Sequence, residues 1–215
     1  MNTLSHPQNH WALAGIISGV GAAITYFMAI AGPLPLVGSY VAFMGFGPLL
    51  CVAIVSFYYY LKVSNDTITL RLGTVLLVLA GAINTLMAAM QGALRIYMND
   101  LPQAESSIET TKVAWKLAMH VGNAMQLGAD VAWDYFVLPG LILFGIGIMN
   151  HPRFGKWFGW TAVVIGASGM VFNCWTFPNP PDTVGLIDVG PLAGIWFTVF
   201  TVQMVRVYRG LIRES

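Results

Sequence analysis

Between His120 and Asp134 the chain reads HVGNAMQLGADVAWD. At 100° per residue, His120, Asn123, Asp130 and Asp134 fall within an arc of about 80°, with Gln126 about 40° further round. The residues between them are apolar or Gly. Asp130 and Asp134 are one helical turn apart, with Cβ atoms about 6 Å from each other. Two carboxylates so close in an apolar setting resist being ionised together, which suits general acid/base work or proton carriage. Asp130 and Asp134 are therefore the candidate acid/base groups, with His120 as a candidate relay. The plainer structural reading is an ion pair with Arg95. It is compatible with the first, since one Arg could neutralise one acid and leave the other to titrate.

The elements that must position this row are membrane spans. The 215 residues are 57% apolar and only 9% charged, against roughly 25% charged in soluble domains. Six spanning segments can be counted, at 11–31, 36–61, 70–97, 128–149 (with a helical lead-in from 112), 157–177 and 186–208. Gly32-Pro33-Leu34-Pro35 separates the first two, and SNDT at 64–67 the second from the third. A longer loop, NDLPQAESSIETT, occupies 99–111, and FPNPPDTVG at 177–185 ends the fifth. The N-terminal MNTLSHPQNH lacks the basic residues of a signal peptide, so the first segment is expected to be retained. The expectation is an all-α polytopic helix bundle forming a single transmembrane domain over 1–215.

With six spans, one side of the membrane receives Lys62, Arg71, Arg153, Lys156, Arg206, Arg209 and Arg213. The other receives Arg95, Lys112 and Lys116. Excess basic charge marks the cytoplasmic side, which places both termini there. Polar residues then sort by depth toward the outer side. Asn84, Gln91 and Arg95 share one face of the third segment, being seven and four residues apart. Asn123, Asp130 and Asp134 come from the fourth, Asn173 from the fifth and Asp188 from the start of the sixth. The inner half is nearly bare apart from Gln203. This convergence predicts an outward-opening polar pocket lined by Asn84, Gln91, Arg95, Asn123, Asn173 and Asp188, with Trp133, Tyr135 and Trp175 either walling it or packing.

Other chemistries find little support. Four histidines are spread so that none can join His120 across the bilayer, so no metal site and no bis-histidine haem is expected. Cys51 and Cys174 lie in apolar segments and read as small packing residues. No GxSxG, HExxH, CxxC or phosphate-binding loop occurs, and no cofactor is implied. The net charge of +1 offers no phosphate-binding patch, so nucleic acid is an unfavoured partner. Tyr58, Tyr59, Tyr60, Trp157, Trp160 and Tyr208 fit an interfacial aromatic belt.

The stretches MNHPRFGKWFGW at 149–160 and NCWTFPNPPDTVGLIDVGPLAGIWF at 173–197 resemble an uncharacterised family of small bacterial integral membrane proteins with six helices. The resemblance implies a bacterial inner-membrane setting and brings no activity to particular residues. The leading functional expectation is a pocket that binds an apolar or amphipathic small molecule, lipid or isoprenoid-like, with acid/base chemistry open to it. The alternatives are a proton-coupled transporter, or an accessory subunit packed in a larger membrane complex or homo-oligomer. A reporter active only in the cytoplasm should give signal when fused after Ser215 and none when inserted at Ser106. The reverse pattern would invert the orientation.

Overall fold

The computed structural model describes residues 6–30, 35–100, 109–177, 179 and 181–214. It contains helices α1 (His6–Ile30), α2 (Leu36–Leu61), α3 (Ile68–Asp100), α4 (Glu109–Ile148), α5 (Gly155–Thr176) and α6 (Gly190–Glu214), with a 3-10 turn at Pro181–Val184. All six helices are long and apolar enough to cross a membrane, so the protein is an all-α bundle of six candidate spans. The helices run a few residues beyond several of the expected bounds, α1 starting at His6 and α6 ending at Glu214, and the expected helical lead-in to the fourth span is present. The lead-in from 112 is continuous with the fourth span, giving a 40-residue helix that runs through Pro139 without ending. The sixth helix begins at Gly190 because Asp188 caps it first: its Oδ1 accepts the Gly190 backbone N–H at 2.8 Å.

Successive helices pack side by side, and α1 meets α6 to close the ring. Hydrocarbon provides no apolar driving force between helices, so contact comes from close packing at small residues. On α3, a Cβ added to Gly73 would lie 2.8 Å from the Phe144 Cα of α4. On α4, one at Gly147 would lie 2.8 Å from the Leu70 Cα. The two backbones thus touch over nearly a full turn. Inside the ring, Phe200 stacks on Phe154 (centroids 4.7 Å) and on Trp196 (5.2 Å), and meets Phe57 edge-on at 5.3 Å. Phe57, Phe144, Phe200 and Met204 have essentially no exposure.

The end that carries the 62–67 and 149–154 loops is tied shut. The Asn65 side-chain amide donates to the Gly147 carbonyl at 2.7 Å. The Arg153 guanidinium donates to the Tyr60 hydroxyl at 2.8 Å, so Tyr60 is buried rather than part of an interfacial belt. Tyr59 and Trp11 remain at the surface, stacked at 4.4 Å. Outside this plug, Arg71 Nε pairs with Asp66 Oδ1 at 2.9 Å, which holds the Asp66 carboxyl below its usual value. His151 lies within the plug at 2% exposure. Its Nδ1 accepts the Arg153 backbone N–H at 3.3 Å, while its Nε2 is buried without a partner. Burial, and then the neighbouring Arg153 charge, push the imidazole down to about 4.

Gly73→Ala should destabilise by about 1–3 kcal/mol, since the clash is with backbone that cannot rotate aside. Thermal unfolding in detergent would measure it. His151 supplies a pH signature. Below the ordinary histidine value of about 6.5 the unfolded chain binds a proton that the folded one refuses, so stability falls as pH drops toward 4. The loss should be on the order of 2 kcal/mol by pH 4.5, and His151→Gln should flatten that part of the profile.

Candidate functional site

The opposite end of the bundle gathers carboxylates. Asp134 is half-buried on the inner flank of α4. The charges of Asp130, on the same helix, and Asp188, before α6, both act on it. Asn173, one turn from the end of α5, donates through Nδ2 to the Gly169 carbonyl at 3.1 Å and also presents its side-chain amide to Asp134. Three elements therefore deliver four of the sequence-predicted site residues to one place. Each arrives for a local reason. Asp130 and Asp134 share a face of α4 by their four-residue spacing, Asn173 stays in register through its bond to the preceding turn, and Asp188 is fixed by capping α6.

Trp133 joins this group. Its ring lies 3.6 Å from the Cβ position of Gly190, and the Asp188 Oδ1 lies 3.2 Å from the same point. The Trp133 indole nitrogen is buried with no hydrogen-bond partner. A buried N–H of this kind commonly answers to a water or ligand acceptor. Tyr26 of α1, packed one turn further along α6 against Gly194, also lies in the field of Asp188. The Tyr26 ring packs 2.9 Å from the Cβ position of Gly194 and 5.4 Å, centroid to centroid, from Phe46. Tyr26 and Phe46 were not among the sequence candidates. Ranking aromatic residues by depth as well as charged ones would have placed Tyr26 at this level.

The remaining candidates are not brought to the cluster. His120 is exposed, ten residues before Asp130, which is ~15 Å along a helix rising 1.5 Å per residue. That separation is too great for a direct relay. Asn123 is exposed on the same extension of α4. Trp175 is 82% exposed and turned away from Asn173, so it walls no pocket with Asp134. Tyr135 is exposed too, its hydroxyl 3.6 Å from the sulfur of Cys174, and Cys174 is at the surface rather than in the core. Asn84 and Gln91 are half-buried on α3 and make no hydrogen bond to a carboxylate among the described residues. The Arg95 side chain lies outside the described residues, and with it the expected pair to Asp130 or Asp134.

Among the described residues no three His, Cys, Asp or Glu side chains converge closely enough to hold a metal ion. The cluster instead offers hydrogen-bond acceptors, a site where a proton or a cation can rest, and one unused donor on Trp133. No family model matches this sequence, and no match was found among curated proteins or solved structures.

Asp134→Asn removes a carboxylate that lies in the field of Asp130 and Asp188 while preserving the shape that Asn173 faces. The variant should fold and be equal to or more stable than the parent, by up to about 1 kcal/mol at pH 7. Unfolding in detergent at neutral pH would check this. A loss of several kcal/mol would mean that Asp134 serves as a structural ion-pair partner.

Proposed function

We propose that the chain is a multi-pass protein of the bacterial inner membrane, with both termini in the cytoplasm, that binds an apolar or amphipathic small molecule from the outer side. The ligand is lipid-like or isoprenoid-like. Its polar end meets Asp134, which Asn173 orients, and its apolar part lies against Trp133, Tyr26 and the hydrocarbon walls. Asp134 is also the group that would take or return a proton if the ligand undergoes acid/base chemistry. The observation that carries this reading is a half-buried carboxylate in the field of Asp188, where Asp188 shares the start of α6 with an indole N–H buried without a partner. Buried polar groups of both signs left open to one another's neighbourhood are costly inside a membrane unless they serve a ligand or a proton.

Alternating-access transport is the weaker reading. It needs a polar path through the other end, and there Leu61, Ile148 and Met204 have no exposure and Phe154 is buried.

The test is to purify the protein gently and extract what travels with it. An amphipathic molecule should co-purify with the parent and fall by about tenfold in Asp134→Asn, equivalent to about 1.4 kcal/mol of binding. Full retention by Asp134→Asn and by Asn173→Ala would overturn the proposal and favour the subunit reading.

A further inference from the structure

The ring closes where α1 meets α6, and that seam is uneven. Thr201 of α6 is hard against Gly19, with its Cγ2 2.9 Å from where a Cβ on that glycine would lie. Nearer the site, the Tyr26 ring makes the same kind of contact with Gly194. Between these two close approaches stand Ala23 and Thr198, and with Thr201 they line two spaces at once. Toward the membrane they border a groove of about 510 Å³ that runs past Val20, Ile24 and Phe27. Toward the interior they border a cavity of about 20 Å³ that reaches Tyr26 and Gly194. The inner space would hold about one water molecule, while the groove falls within the ~300–1,000 Å³ of small-molecule sites. Both threonine hydroxyls are spent on their own helix, donating at 2.9 Å to the Gly194 and Phe197 carbonyls. The groove is therefore apolar. In the wall of the inner cavity, Tyr26 stands in the field of Asp188.

We propose that this seam is the lateral entrance to the Asp134 site, and that its occupant is one hydrocarbon chain of a membrane lipid whose head carries a primary ammonium. The inference rests on the reading of the Asp134 site given above. A chain in the groove meets only apolar neighbours. Its head then reaches the start of α6, where Asp188 and Asp134 attract a cation and repel an anionic headgroup. The unpartnered indole N–H of Trp133 supplies a donor for a phosphate or ester oxygen of the same lipid.

Native mass spectrometry of the full chain in detergent tests this, with phosphatidylethanolamine and phosphatidylglycerol of identical acyl chains as probes. The parent should retain the ethanolamine lipid at least about fivefold better, a difference of roughly 1 kcal/mol. Asp188→Asn should bring the two lipids to parity. Ala23→Leu, which fills the window from α1, should weaken retention of the ethanolamine lipid by about tenfold. Thr198→Leu fills it from α6 and replaces Ala23→Leu if that variant unfolds early. Equal retention of both lipids by the parent, or undiminished retention in the filled variants, overturns the inference. The failures separate: if the carboxylate variants abolish the preference while the filled variants leave it intact, the Asp134 site stands and only the entrance is wrong. If neither class has any effect, both readings fall.

Discussion

The close approach of α3 and α4 is the constraint from which the rest of the bundle follows. In water two helices are driven together by the surface they hide. In hydrocarbon that drive is absent, and what remains is van der Waals contact at places where the backbones can touch. Gly73 lies under Phe144, and Gly147 lies under Leu70. With those backbones in contact, Phe144 is pressed inward, where it meets Phe200 at 5.8 Å and Trp196 at 6.3 Å. The aromatic stack that fills the ring is thus set from the α3–α4 seam. The same seam fixes the azimuth of α4, and so determines that Asp134 faces α5 and α6 rather than lipid.

Polar groups are distributed asymmetrically along that scaffold. At the loop end, among the described residues, polar groups are paired across elements: Asn65 on Gly147, Arg153 on the buried Tyr60, Trp196 on the Phe158 carbonyl at 3.2 Å. His151 Nε2 and Ser56 Oγ are the exceptions there and in the core. Such pairing removes the cost of burial and seals the end. At the other end, like charges are placed together and a donor is left over. The two ends therefore differ in kind: one is closed by hydrogen bonds, and the other sets Asp188 in the field of Asp134 beside the buried indole of Trp133.

Much of this was legible in the sequence, and the parts that were not have a common cause. Span number came from length and hydropathy, which the bilayer dictates directly. The convergence of Asp130, Asp134, Asn173 and Asp188 came from depth, since residues at one level of antiparallel helices must lie near one another in height. Depth says nothing about azimuth. Trp175 is at the level of Asn173, but two residues further on it is rotated by about 200°, onto the opposite face. For His120 the arc position is right but the rise is not: ten residues along α4 carry it about 15 Å above Asp130, too far for a direct relay. Tyr60 was misplaced for a third reason: its partner, Arg153, comes from a loop 93 residues away in the chain, and no local pattern announces such a pairing.

The asymmetry also bears on how a ligand could arrive. With the loop end sealed by packed aromatic and aliphatic side chains, access to Asp134 must come from the opposite aqueous face or sideways from the bilayer. The two routes select different molecules. An aqueous approach passes Asp188, which is exposed, and favours a soluble polar ligand that would gain little from the hydrocarbon walls. A lateral approach suits a molecule already dissolved in the membrane, because its apolar part never leaves an apolar medium and only its head exchanges water for protein contacts. The seam between α1 and α6 is held by residues as small as Ala23 and Thr198, whereas the α3–α4 seam is locked backbone to backbone. Of these two seams, the one with small side chains between its close approaches is the one that can part without breaking the aromatic core.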